Sequence, residues 1–98
     1  MLDQDKVDRV ALAAASAALA RARVTRVFSE PVIDSTGHEA LRIIIVLNDA
    51  TADHVTGSDA LDALVEIETK LLESGEERQP IVEYATEAEL KQSDDPES

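Results

Sequence analysis

The sequence predicts a small α+β domain whose elements follow the order α-β-β-α-β. Two long segments, 4–22 and 57–74, repeat apolar residues at helical spacing. Three shorter segments, 24–33, 40–47 and 80–85, are rich in valine, isoleucine and other strand-forming residues. We therefore expect a three-stranded sheet that contains a β-hairpin, with the two long helices packed mainly on one face. The chain of 98 residues has the length of a single domain.

The first helix is predicted by its alanine content. Eight of the twelve residues at positions 11–22 are alanine, which is the strongest helix former. Asp3 and Asp5 lie near the predicted N-terminus of the helix, and Arg21 and Arg23 lie near its predicted C-terminus. Both pairs match the helix dipole, so the charges favour the same helix as the alanines do.

The second predicted strand has two apolar faces. One face carries Ile43, Ile45 and Leu47, and the other carries Ile44 and Val46. A strand with two apolar faces is covered on both sides in a folded protein. Since both helices are expected on one face, Ile44 and Val46 would face water unless a partner covered them. We therefore expect a partner interface at these two residues. If one helix crosses to that face instead, no partner is needed.

Leucines and a valine at helical spacing predict the buried face of the second helix. The residues assigned to that face are Leu61, Leu64, Val65, Leu71 and Leu72. Glu68 falls within the same arc of the helix. A carboxylate there would pair with a buried arginine or have a raised pKa suited to acid–base chemistry. The alternative is a glutamate at the rim of the apolar face, with its carboxylate in water.

Capping residues mark the ends of the later elements. Thr56 followed by Asp59 resembles a capping box, and Gly75 suits the end of the second helix. Thr86 followed by Glu89 is a second capping box, which predicts a short helical turn after the third strand.

The domain is expected to span residues 1–90. Residues 91–98 contain three acidic residues and a proline, and we expect them to form a disordered acidic tail.

The net charge of −12 lies entirely in the second half of the chain. Residues 1–48 carry six basic and six acidic residues, whereas residues 49–98 carry three and fifteen. Such an acidic half repels nucleic acids and anionic membranes. The chain also has only two aromatic residues, which is a poor supply for base stacking. We expect neither a nucleic-acid partner nor a membrane association.

Asp49, Asp53 and His54 follow the most apolar strand and are the main candidates for a catalytic site. Ligands often bind beyond the carboxyl ends of strands, and two carboxylates with an imidazole could hold a divalent cation. The spacing matches no specific metal-binding motif, so the alternative is an ordinary polar loop. The sequence has no phosphate-binding or dinucleotide-binding glycine pattern, and no cofactor is expected.

The function expected from these patterns is protein interaction. A small domain whose apolar residues are largely alanine has a thin core, and such domains often gain stability by oligomerising. We expect a homodimer, or a complex with another protein, in the cytoplasm, because the chain has no cysteine for disulfides. One alternative is a small metal-dependent or small-molecule enzyme built on Asp49, Asp53 and His54. Another is an acidic neutraliser of a basic partner protein.

Overall fold

The computed structural model describes residues 2–20 and 22–94, and it confirms the order α-β-β-α-β with a short helix after the last strand. The elements are α1 (Gln4–Ala18), β1 (Val24–Ile33), β2 (Glu39–Leu47), α2 (Gly57–Glu73), β3 (Gln79–Thr86) and α3 (Glu87–Asp94). A turn of 3-10 helix, Ala52–His54, lies between β2 and α2.

The three strands form a mixed sheet in the order β1-β2-β3. The hairpin pairs β1 with β2 in antiparallel fashion, with Phe28 opposite Ile44. The third strand pairs with β2 in parallel, with Tyr84 beside Ile45. The sequence left open which strand β3 would join. The structure places β2 in the centre, as expected for the strand with two apolar faces.

Both long helices pack on one face of the sheet, as predicted. Within the described residues, α1 contacts β1, α2 contacts β3, and the two helices contact each other. Their buried side chains share one cluster with the inward face of β2. The buried members of this cluster are Val7, Ala11, Ala14, Ala15, Leu19, Val27, Leu41, Ile43, Ile45, Leu47, Ala63, Ile67 and Leu71. Four of them are helical alanines, which allow the two helices to approach closely.

The first helix ends earlier than predicted. It stops at Ala18, and Leu19 follows as its C-cap with a side chain buried in the core. Arg23 lies beyond the helix, and its backbone N–H donates to Thr51 Oγ1 at 2.9 Å. Arg21 lies outside the described residues. Alanine propensity favours a longer helix, but the chain must turn at Leu19 to reach β1 at Val24.

The predicted buried face of α2 is wrong for three of its five residues. Leu61, Val65 and Leu72 are 58%, 60% and 67% exposed, and Leu64 is half-buried. Leu71 is buried as predicted, and the other buried residues of the helix are Ala63 and Ile67. This face packs in one cluster with the sheet and the alanines of α1, whereas Leu61, Val65 and Leu72 lie on the exposed side of the helix.

Both predicted capping boxes are confirmed. In the first, the Thr56 side chain accepts from the N–H of Asp59, whose carboxylate accepts from the N–H of Thr56. In the second, the N–H of Glu89 donates to Thr86 Oγ1 at 3.2 Å, and Glu89 Oε1 accepts from the N–H of Thr86 at 3.0 Å. The helix α3 then runs to Asp94, four residues into the segment predicted as a tail. Residues 95–98 of that tail lie outside the described residues.

Candidate protein-interaction surface

The loop that carries Asp49, Asp53 and His54 connects β2 to α2. Asp49 Oδ1 accepts from the backbone N–H of Ala88 at 3.3 Å and so helps to cap α3. Asp53 and His54 lie in the 3-10 turn and are exposed. Across residues 2–20 and 22–94, no three His, Cys, Asp or Glu residues form a group that could hold a metal ion. The structure therefore does not assemble these three side chains into a metal centre.

Glu68 lies on the exposed side of α2. Its Oε2 accepts a hydrogen bond of 3.0 Å from Gln79 Nε2 on β3. The carboxylate is thus in water beside an amide rather than next to a buried arginine, which matches the alternative of a rim position.

Glu76 is a buried carboxylate that the sequence did not indicate. It is 2% exposed and accepts from Arg78 Nε and Nη2, both at 2.9 Å. The backbone N–H of Leu2 donates to Glu76 Oε1 at 3.0 Å, so the Glu76–Arg78 pair also holds Leu2 in place. The Arg78 side chain, followed by the backbone N–H groups of Arg78 and Leu2, lowers the pKa of Glu76 to about 2 against the opposing effect of burial. This ion pair is structural, since it joins the N-terminus to the start of β3.

The second face of the sheet carries Ile44 and Val46, the residues expected at an interface. Val46 is fully buried, and α3 contacts β2 and β3. Ile44 is half-buried and lines a shallow cavity of about 430 Å³ together with Phe28 and Leu90. The chain itself therefore covers much of this apolar surface, and the interface expected here stays a prediction for Ile44.

Charged side chains occupy the rest of this second face. Arg42 donates to both carboxylate oxygens of Glu83 at 2.9 Å and to Glu30 Oε1 at 3.0 Å. These bonds raise the pKa of Arg42 and lower that of Glu83. On β1, the Arg26 guanidinium lies 4.0 Å from the centre of the Phe28 ring. The face is thus a mixture of paired charges and partly covered apolar groups.

The largest exposed apolar side chains of a helix lie instead on α2. Leu61, Val65 and Leu72 are separated by four and seven residues, which places them on one side of the helix. We call these three residues the α2 row. Beside it, a groove of about 420 Å³ separates α2 from β3, and its lining includes Leu61, Leu64, Pro80, Ile81, Val82 and Tyr84. Leu61 belongs both to the α2 row and to the lining of this groove, so the two features adjoin at that residue.

Carboxylates lie within the α2 row and along one side of it. Glu68 lies within the row at helical spacing, and the exposed side chains of Asp62 and Glu73 lie next to Leu61 and Leu72 along the chain. Lys70 lies 3.7 Å from Glu73 in an exposed ion pair. An apolar row with an acidic border is therefore the main unpartnered feature of α2.

Sequence spacing contained the signal for this row, but it led to another interpretation. The three residues of the α2 row, together with Leu64 and Leu71, were predicted to face the core, because apolar residues at helical spacing usually face inward. The face that is buried, made of Ala63, Ile67 and the correctly predicted Leu71, is visible in the same segment once alanine is counted as a core residue.

Comparisons of the chain with protein-family models, with curated proteins and with solved structures found no match. Among the described helices, none is both long enough and apolar enough to span a membrane.

Proposed function

We propose that this protein is an interaction module that binds another protein through the α2 row. The observation that supports the proposal is the exposure of Leu61, Val65 and Leu72, each more than half open to water on one side of one helix. Single exposed apolar residues are ordinary in soluble proteins, whereas contiguous exposed apolar surface marks sites of association. The adjoining groove between α2 and β3 extends the surface that a partner would cover.

The energy available from the α2 row is moderate. Full burial of a leucine or valine side chain contributes roughly 1.5–3 kcal/mol, and these three side chains have somewhat more than half of their surface left to bury. Each would thus contribute about 1–2 kcal/mol, against the cost of losing translational and rotational freedom. Contacts in the groove are needed in addition, so we place the binding surface on both features.

The thin core favours a second copy of the chain as the partner, because small domains with little buried apolar surface often gain stability by oligomerising. A basic protein is the partner that the acidic border of the α2 row favours, as in the neutraliser alternative. For the enzyme alternative, the described residues offer no metal-binding group. We keep a cytoplasmic location as part of the proposal, on the basis of the cysteine-free sequence.

Site-specific photo-cross-linking tests the proposal. A photo-reactive residue replaces Val65 in the full chain, and a matched control carries it at the exposed position of Ser16 on α1. We expect discrete adducts in the source cells from position 65 and not from position 16. The adducts should disappear when Leu61→Ser and Leu72→Ser are added. Equal labelling from both positions, or labelling that survives the serine changes, would contradict the proposal.

Light scattering on the purified protein distinguishes the two kinds of partner. A homodimer should show twice the mass of the chain at tens of micromolar and should return to a monomer in the Leu61→Ser, Leu72→Ser variant. A monomer at that concentration excludes the homodimer and leaves a different protein as the partner.

A further inference from the structure

We infer that the partner docks on the α2 row with an amphipathic helix that carries lysine or arginine beside its apolar residues. The inference rests on the proposed function, because it specifies the chemistry of the partner for that same surface.

The spacing along α2 favours a helix as the docking element. Leu61, Val65, Glu68 and Leu72 follow one another at intervals of four, three and four residues. This is the alternation of a and d positions in a heptad repeat, the pattern that packs against a second helix. An extended strand has a period of two residues and does not match this row.

Glu68 makes the row specific for a positive partner. It lies between Val65 and Leu72 at the same helical spacing, and its carboxylate accepts one exposed hydrogen bond from Gln79. A helix docked on the row would cover this carboxylate. Covering a charge is costly unless an opposite charge and hydrogen bonds compensate for it. A lysine or arginine at the facing position of the partner would supply both.

The same carboxylate disfavours a second copy of the chain on this row. In a parallel pair of α2 helices, the two Glu68 carboxylates would face each other. In an antiparallel pair, each would face Val65 of the other copy. Neither arrangement gives Glu68 a positive partner, and Asp62 and Glu73 would add like charges along the border.

Charge complementarity extends beyond Glu68. The exposed part of α2 carries Asp62, Glu68 and Glu73, against Lys70 as its exposed basic residue. The whole chain carries a net charge of −12. A basic helix would therefore be attracted at long range and paired at short range, and its association rate should fall as salt increases.

Binding of synthetic helical peptides tests the inference. The probe is a peptide of about three heptads with leucine at a and d, lysine at e and g, and one a-position leucine replaced by lysine. The spacing of the row places Glu68 at a d position, which faces an a position when the peptide docks antiparallel to α2. A second peptide has glutamine in place of each lysine, and a third has the residues of the first in scrambled order. Each is labelled and kept at nanomolar concentration, and its fluorescence anisotropy is measured against the full chain at about 50 mM and 300 mM salt.

We expect the lysine peptide to bind more tightly than the glutamine and scrambled peptides, with weaker binding at the higher salt concentration. Glu68→Gln should weaken binding by about 3- to 10-fold. The matched control Glu87→Gln removes an exposed carboxylate from α3, on the other face of the sheet, and should change binding by less than about twofold. Equal effects of the two substitutions would overturn the inference, because they would mean attraction by net charge alone.

Apolar variants separate the inference from the proposed function. Leu61→Ser with Leu72→Ser should abolish binding, whereas Ile33→Ser, which changes a residue 66% exposed on β1, should not. If the glutamine peptide binds as well as the lysine peptide and the serine changes abolish both, the docking surface stands and the basic partner is excluded. If the lysine peptide binds the serine variant unchanged, or no peptide binds, both proposals fail.

Discussion

Leu71 and Leu72 are neighbours in α2, yet Leu71 is 1% exposed in the core and Leu72 is 67% exposed beside the acidic border. Successive residues of a helix point about 100° apart, so one step along the chain can move a side chain from the core to the surface. The exposed fractions of these two leucines therefore show how α2 is rotated about its own axis. This rotation decides which apolar residues stabilise the domain and which are free to bind a partner.

The two leucines should respond differently to truncation. Leu71→Ala should lower the free energy of unfolding by about 2–5 kcal/mol, because it leaves a cavity in the core. Leu72→Ala should change it by less than about 1 kcal/mol, because most of its side chain is already in water and alanine favours the helix. Urea denaturation followed by circular dichroism measures both variants. Equal losses would mean that α2 is rotated differently from the structure described.

The buried pair of Glu76 and Arg78 should make stability depend on pH in the acidic range. The folded-state pKa of Glu76, about 2, lies below its ordinary value of 4.5, so ionisation stabilises the fold above pH 4.5. This stabilisation is lost progressively as the pH falls from 4.5 towards 2. Glu76→Gln should cost about 3–5 kcal/mol at neutral pH, because it leaves Arg78 without its buried carboxylate.

Comparison of two variants isolates this effect from the loss of net negative charge in acid. The difference in unfolding free energy between the unsubstituted chain and Glu76→Gln should shrink by roughly 2 kcal/mol between pH 7 and pH 3. The control Glu77→Gln changes an exposed neighbour and should show no such change. A difference for Glu76→Gln that does not vary with pH would contradict the role given to the ion pair.

We expect that weakening the N-terminal cap of α3 opens this helix locally and exposes the second face of the sheet. Thr86→Ala removes the side chain that accepts from the N–H of Glu89, a loss of about 1 kcal/mol to a helix of this kind. Because α3 is short, we expect local opening that exposes Ile44 and Val46 while the rest of the domain stays folded.

Two measurements follow this opening. Amide hydrogen exchange at Glu89 should become faster, and an apolar dye such as ANS should bind more strongly. The matched variant Thr56→Ala removes the equivalent cap from α2 and should leave exchange in α3 unchanged. Unchanged exchange at Glu89 in Thr86→Ala would mean that this cap does not hold α3 in place.

Much of the fold could be predicted because local signals agreed with the tertiary structure. The apolar period of β2 and the capping boxes at Thr56 and Thr86 depend on residues close in sequence, and all of them appear in the structure. The end of α1 at Ala18 could not be predicted, because it depends on where Leu19 packs and where β1 begins.

The candidate surface was harder to predict because α2 has two apolar faces. Counting large apolar residues favours the side with Leu61, Val65 and Leu72. The structure instead buries the side with Ala63, Ile67 and Leu71, which packs in one cluster with the alanines of α1. Glu76 gave no local signal either. Its burial depends on Arg78 and on the chain start at Leu2, which the fold brings together across 74 positions.

Divalent cations should not stabilise this protein through the loop after β2. Asp49 is engaged with the N–H of Ala88, while Asp53 and His54 are exposed in the 3-10 turn. At millimolar magnesium, calcium, manganese or zinc, we expect the same melting temperature as at matched ionic strength in sodium chloride, which screens the net negative charge equally. Differential scanning fluorimetry measures this, with Asp49→Asn, Asp53→Asn as the control. A rise of several degrees with one cation, absent from that variant, would instead support the enzyme alternative built on these residues.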